Sequence, residues 1–197
     1  WGNQPDIGLW NLTRFAETLL PLLSEDPGEA TQIAQAALSG YSGRFGSQYI
    51  ACFRVKFGLP PEAPVELINE CLDLLETQGV DFTLFFRHLT SVAGGEDSKT
   101  LAAMFHSSEA FQKWFATWRS EADPAKHLAD MRAANPILIP RNHRVEEAIQ
   151  SAYGGDFAPF HRLVDALAAP YADQVEYTVL QAPPRPEEIV HKTFCGT

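Results

Sequence analysis

Apolar residues recur along this chain at spacings of three and four, the spacing of one face of an α-helix. The first segment shows the pattern at Leu9, Leu12, Phe15, Ala16, Leu19, Leu20 and Leu23. Asn3 or Asp6 is the candidate N-cap of this helix, and Pro21 predicts a kink or an early end. Because no alternation of apolar and polar residues persists for more than a few positions, the pattern predicts helices and no strands.

A second helical stretch begins near Glu29 and can continue to Phe57. One side of its second half carries the apolar residues Tyr41, Phe45, Tyr49, Cys52 and Phe53. Gly40, Gly43 and Gly46 interrupt it, and each costs a helix roughly 1 kcal/mol relative to alanine. Either the helix breaks there, or the bare backbone admits a close neighbour; we expect a continuous or kinked helix.

Proline, glycine and capping residues divide the rest of the chain into shorter helices. The predicted segments are Val65–Thr77, Phe82–Val92 capped by Asp81, a helix opening at Ser108 and Glu109, Asp123–Met131, Arg141–Tyr153 and Asp156–Leu167. The whole pattern predicts an all-α array of about seven to nine helices around one core or two abutting cores. We expect a helical domain over residues 1–170, with a candidate sub-boundary at 94–97, and an irregular proline-rich tail over 171–197.

Composition limits the classes of partner. The chain has 197 residues, 45% of them hydrophobic, and its 25 acidic and 15 basic residues give a net charge of −10. This excess of acid argues against nucleic-acid binding, which needs a basic face, and no apolar run approaches the ~20 residues that cross a bilayer. Three dispersed cysteines favour a reducing cytoplasm. The first residue is Trp1, so we expect the chain to be part of a longer protein.

The common catalytic signatures are missing from the sequence. It contains no P-loop, no G-x-S-x-G, no H-E-x-x-H and no C-x-x-C, and the six histidines are dispersed. Asp81-Phe82-Thr83 is close to the metal-binding Asp-Phe-Gly of kinases, but the glycine is absent and a helix N-cap is the better interpretation. Trp114 and Trp118 lie four residues apart, which favours core packing over base stacking. We therefore predict no catalytic, cofactor-binding or metal-binding residue in this chain.

Two places carry unusual chemistry. Between Asn135 and His143, two prolines flank an apolar run, and the polar residues Arg141, Asn142 and His143 follow; a structural hinge is favoured over a binding site. Cys195 lies third from the end of the tail, where no packing role requires a thiol. A redox or cross-linking role for Cys195 and simple docking of the tail are both open. Cys52 and Cys71 fall on apolar helix faces and are predicted to be core residues.

A series of short stretches, in order over essentially the whole chain, resembles the C-terminal part of the selenoprotein O family, also called the YdiU family. The matching stretches are Asn3–Pro5, Leu9–Leu12, Arg14, Leu19–Leu22, Phe53–Leu59, Asp81–Arg87, Met131–Pro136, Arg141–His143, Glu146–Ile149, Gly155–Phe157, Pro170–Tyr171 and Cys195. Each stretch is weak alone, whereas the series is specific.

The resemblance implies a longer, kinase-like protein that transfers AMP from ATP to Ser, Thr or Tyr hydroxyls of proteins in the bacterial cytoplasm. It implies that the residues binding ATP and Mg²⁺ or Mn²⁺ precede Trp1, so none is carried over to this chain. The chain is then expected to form the later helices of a kinase-like C-lobe with a helical extension, and to be inactive alone. Its expected partners are the upstream kinase-like domain and the protein substrates. The family also has Cys or selenocysteine near its C-terminus, which implies redox control through Cys195, with a partner cysteine upstream of Trp1.

A different class of function is also consistent with the sequence. A freestanding helical module could bind a protein partner in a groove, with exposed aromatics such as Phe111 or Trp114 as anchors. The coding sequence upstream of Trp1 discriminates the two functions: several hundred more residues with a Gly-rich loop and a metal-binding Asp favour the enzyme, and a start codon just before Trp1 favours the freestanding module.

Overall fold

The computed structural model describes residues 3–191, and within them it contains only helices and loops. The α-helices are α1 (Gln4–Leu23), α2 (Pro27–Ser39), α3 (Tyr41–Phe57), α4 (Val65–Thr77), α5 (Phe82–Ala93), α6 (Lys99–Ala102), α7 (Ser108–Glu121), α8 (Pro124–Ala134), α9 (Asn142–Tyr153) and α10 (Ala158–Leu167). Two 3₁₀ segments follow, Val175–Gln181 and Pro186–Glu188. The predicted all-α array is confirmed, and the described part divides into two compact units between Phe53 and Arg54.

The first unit contains α1, α2 and most of α3. α1 packs on α2, where Ala30 and Ala34 are buried. Asp26 caps α2, because its Oδ1 accepts the backbone N–H of Glu29 at 2.7 Å. Pro21 lies in the last turn of α1, which ends two residues later at Leu23.

The sequence favoured a continuous or kinked helix through the three glycines over a break, and the structure interrupts the helix at one of the three. α2 ends at Ser39 and α3 begins at Tyr41, so the break falls at Gly40. Gly43 and Gly46 stay inside α3, and a Cβ at either would meet no atom of the described residues within 4 Å. These two glycines are therefore tolerated by the helix, and no close neighbour requires them.

Aromatic residues four apart form a row along α3. Successive ring centroids from Tyr41 through Phe45 and Tyr49 to Phe53 are 6.1, 6.2 and 4.7 Å apart. Cys52 precedes Phe53 by one residue, which turns its side chain about 100° away around the helix. It is exposed, so the prediction that it belongs to the core is wrong.

The second unit is organised around an aromatic core. Its fully buried large side chains include Phe57, Phe85, Phe86, Phe111 and Trp118. α4 packs on α7, α5 on α8, and α9 on α10. The predicted core positions of Cys71, Trp114 and Trp118 are confirmed, because all three are buried.

The two tryptophans are tied to backbone carbonyls as well as packed. Trp118 Nε1 donates to the carbonyl of Phe57 at 2.8 Å, and Trp114 Nε1 donates to that of Leu67 at 2.9 Å. Phe111 and Trp114 are both buried, so the expectation that they are exposed partner anchors is wrong. Each buried indole N–H has an acceptor, as a dry core requires.

Caps and short elements decide the helix boundaries of this unit. Asp81 and Asp123 cap α5 and α8 as predicted, accepting the N–H groups of Leu84 at 2.9 Å and Lys126 at 3.3 Å. α6 was not predicted, because a four-residue helix is too short to show a period.

Gly58, which follows α3, tests how tightly that helix end is packed. It has φ +64°, and an added Cβ would lie 2.6 Å from Met131 Sδ; Gly79 has the same φ with no described atom within 4 Å. We expect Gly79→Ala to lower the free energy of unfolding by about 1 kcal/mol and Gly58→Ala by about 2 kcal/mol or more. Urea denaturation measures both; equal losses would show that Met131 moves aside without cost.

Candidate functional site

The polar residues that the sequence predicted around Arg141 lie at the start of α9, opposite the start of α5. The linker before them is held by the Pro170 carbonyl, which accepts the N–H groups of Ile137 at 2.8 Å and Leu138 at 3.2 Å. Arg141 then occupies the N-cap position of α9 and is buried. The loop thus fixes where its guanidinium points.

Arg141 and Asp81 form a two-pronged ion pair. Arg141 Nη1 donates to Asp81 Oδ2 at 2.7 Å, and Nη2 donates to Oδ1 at 3.1 Å. Burial raises the pKa of Asp81, but the hydrogen bonds from Arg141 and from the Leu84 amide outweigh burial and hold that pKa below its usual value. One carboxylate therefore caps α5 and also anchors the start of α9.

A second polar contact lies at the end of α8. The side-chain amide of Asn135 donates to the carbonyl of Lys56 and to Thr90 Oγ1, both at 2.9 Å. In return Lys56 Nζ donates to the carbonyl of Ala134 at 3.0 Å and stands 4.7 Å from the ring centroid of Phe86. These bonds join the ends of α3 and α8 to the middle of α5.

We call Lys56, Asp81, Thr90, Asn135 and Arg141 the polar junction. All of its members except Thr90 come from stretches that carry the family resemblance, namely Phe53–Leu59, Asp81–Arg87, Met131–Pro136 and Arg141–His143. Arg54, in the first stretch, donates to the carbonyl of Ala63 at 2.8 Å. The cations of these stretches other than Arg132 bind groups of the chain itself, which is what a structural joint does.

His143 and Asn142 complete the predicted cluster but lie apart from these bonds. Asn142 is the first residue of α9 and is exposed. His143 is buried, and its Nε2 has no hydrogen-bond partner among the described residues. Burial, helped by the neighbouring Arg144 charge, lowers the pKa of His143 below its ordinary value.

The lowered pKa of His143 makes stability depend on pH. Below the ordinary histidine pKa of about 6.5 the unfolded chain takes up a proton that the folded chain resists, so this contribution is lost as pH falls. We expect the free energy of unfolding to decrease between pH 7.5 and 5.5, and to decrease less in His143→Gln. His106→Gln, at an exposed site, is the control; an unchanged pH slope in His143→Gln would contradict the prediction.

The remaining predicted site features are placed as follows. Cys195 lies outside the described residues. Cys71 is buried, and burial raises the pKa of its thiol well above the usual value. Between residues 3 and 191, no group of three or more His, Cys, Asp or Glu side chains is arranged to hold a metal ion. None of the described helices is both long and apolar enough to cross a membrane.

Sequence reasoning found Arg141 and Asp81 separately but missed that they pair, and it missed the roles of Lys56 and Asn135. Asp81 and Arg141 are 60 positions apart, and Lys56 and Asn135 are 79 apart. Periodicity reports only local neighbours, so these pairings carry no local signal. The one available indication was that these residues fall in the stretches of the family resemblance.

Comparison with known proteins places these stretches in a family. The family described as "Protein adenylyltransferase SelO" matches residues 1–168. The "Protein nucleotidyltransferase YdiU" of Rhizobium etli strain CIAT 652 is 44% identical over 206 aligned residues, and that of Rhizobium leguminosarum bv. trifolii strain WSM2304 is 45% identical. Each match covers 100% of this chain and 41% of the relative, so the chain spans well under half the length of these relatives.

Proposed function

The chain belongs to the SelO family of protein adenylyltransferases, and we propose that it is the C-terminal helical part of an enzyme that transfers AMP from ATP to Ser, Thr or Tyr hydroxyls of proteins. The observation that carries the proposal is the family match over residues 1–168. In the proposed reaction the hydroxyl oxygen attacks the α-phosphorus of ATP. A P–O bond to the acceptor forms, pyrophosphate leaves, and the hydroxyl proton passes to a base.

Within that enzyme this chain acts as a scaffold. Nucleotidyl transfer needs cationic groups and a metal ion directed at phosphates. Here Arg54 and Lys56 donate to backbone carbonyls and Arg141 is paired with Asp81, which supports a structural role for all three. ATP and its Mg²⁺ or Mn²⁺ are then held by the kinase-like part of the protein, whose position the chain supports.

The experiment that tests the proposed activity uses the full-length protein with ATP labelled at either the α- or the γ-phosphate, and Mg²⁺ or Mn²⁺. We expect a protein acceptor to become labelled from α-labelled ATP only. Label from γ-labelled ATP would indicate phosphate transfer, and absence of label from both would contradict the proposal. A second measurement compares the ATP affinity of the wild-type protein with that of the variants Arg141→Met and Lys56→Met, at a temperature where all three are folded. The scaffold role predicts equal affinity in the three proteins.

The same proposal extends to the C-terminal tail and to the compartment of the protein. The tail over residues 171–197 carries Cys195 as a redox-active thiol, with its partner cysteine in the kinase-like part, and the protein works in the bacterial cytoplasm. The support for Cys195 is its place near the end of a proline-rich tail. Mass spectrometry of the mildly oxidised full-length protein should find Cys195 in a disulfide; a free thiol there would contradict this role.

A further inference from the structure

A polar cavity of about 310 Å³ lies beside the polar junction, between the ends of α5 and α8 and the segment after α10. Its lining includes two arginines, Arg87 and Arg132, and two carboxylates, Glu96 and Asp173. Asn135, Ser91 and Tyr171 add neutral polar groups. This volume is at the small end of ligand pockets, so its occupant has few non-hydrogen atoms.

Asn135 provides an unused hydrogen-bond acceptor in this wall. The residue is 2% exposed, and its Oδ1 has no partner among the described residues. The amide orientation is set by its partners: the Lys56 carbonyl can only accept, and Thr90 Oγ1 already donates to the carbonyl of Phe86 at 2.7 Å. Nδ2 must therefore face these two acceptors, which leaves Oδ1 to receive a proton donor.

Of the four charged side chains in the lining, two form an ion pair with each other. Arg87 donates to Asp173, which pairs one cation with one anion. Arg132 and the carboxylate of Glu96 make no ion pair with another described residue. Within residues 3–191, the cavity therefore offers one cation, one anion and one acceptor that have no partner.

This combination selects among ligand classes. A simple anion would pair with Arg132 but would face Glu96 and Asp173, and a simple cation would face the two arginines. A small zwitterion meets both free charges at once. We propose that the cavity binds a free α-amino acid, whose carboxylate binds Arg132 and whose ammonium group donates to Glu96 and to Asn135 Oδ1.

L-Serine is a suitable probe, because its hydroxyl also matches the hydroxyls of Ser91 and Tyr171. Two analogues each lack one charge: 3-hydroxypropionate lacks the ammonium group, and ethanolamine lacks the carboxylate. Calorimetric or ligand-observed NMR titration of the full-length protein compares the three compounds. We expect saturable binding of L-serine and affinities at least about tenfold weaker for both analogues, since each leaves a charged group of the site unpaired.

Two variants test which side chains select the ligand. Arg132 lines the cavity and is exposed, so we expect Arg132→Gln to keep the fold and to weaken L-serine binding about tenfold or more. Arg119→Gln, at an exposed residue of α7 outside the lining, should leave L-serine binding unchanged. Glu96→Gln removes the free anion and should weaken L-serine while improving 3-hydroxypropionate. Absence of saturable L-serine binding, equal binding of 3-hydroxypropionate, or full affinity in Arg132→Gln would each overturn the proposal.

Discussion

Replacing Trp118 with alanine is expected to lower the free energy of unfolding by about 3–5 kcal/mol, the range for removing a large aromatic from a core. Trp118 is 1% exposed, its ring stacks with those of Trp114 and Phe115, and its Nε1 donates to the Phe57 carbonyl. The substitution creates a cavity and also removes the hydrogen bond from the indole N–H to this buried carbonyl. Urea denaturation followed by circular dichroism measures the loss.

Two further variants separate these contributions. Trp118→Phe keeps an aromatic ring but removes the donor, so we expect a loss of about 1–3 kcal/mol from the lost hydrogen bond to the Phe57 carbonyl and the smaller side chain. Tyr153→Ala, at a side chain 84% exposed, is the control and should change stability by less than about 0.5 kcal/mol. A loss below about 1 kcal/mol for Trp118→Ala would mean that this core is not packed as described.

Replacing Arg141 with methionine is expected to cost about 2–4 kcal/mol. This loss of stability is smaller than for a fully buried ion pair, because water still reaches Asp81: 22% of its side chain is exposed, against 8% for Arg141. Methionine retains the length of the side chain but leaves the Asp81 carboxylate without its cation. Because the folded pKa of Asp81 is lowered, its contribution is present above the ordinary carboxyl pKa of about 3.9 and is lost as pH falls below it.

A double-mutant cycle isolates the pair. Asp81→Asn keeps an oxygen that can cap α5 while removing the charge, so combining it with Arg141→Met should cost clearly less than the sum of the single variants. We expect a coupling free energy of about 1–3 kcal/mol between the two positions. If the two losses of stability add within about 0.5 kcal/mol, the two side chains act independently, which would contradict the ion pair between Arg141 and Asp81.

Most helices could be predicted because residues at or next to their ends, such as capping aspartates, prolines and glycines, mark where they begin and end. Asp81 and Asp123 each stand directly before a helical segment, where an aspartate is a favourable N-cap, and both cap the helix that follows. The helical spacing of apolar residues also predicts that Cys71 and Trp118 are buried. Cys52 shows the limit of that reasoning, since its position on an apolar face does not say whether anything covers the face. The position of the break could not be predicted either, because helix propensity assigns the same cost to Gly40, Gly43 and Gly46.

The polar junction could be predicted only in part. Arg141 stands out locally, beside prolines and an apolar run, but its partner lies 60 positions earlier. Asn135 looked like a helix terminator, whereas its side chain also binds the end of α3 and the middle of α5. Pairing across such distances is decided by how the helices pack, which no spacing within one helix encodes.

We propose that this chain supports nucleotidyl transfer in the full-length protein without performing it. The direct test incubates the 197-residue chain and, separately, the full-length protein with α-labelled ATP, Mn²⁺ and a protein acceptor, after circular dichroism has shown that the chain is helical. We predict labelled acceptor with the full-length protein and none with the chain. Robust label transfer by the chain alone would contradict this account.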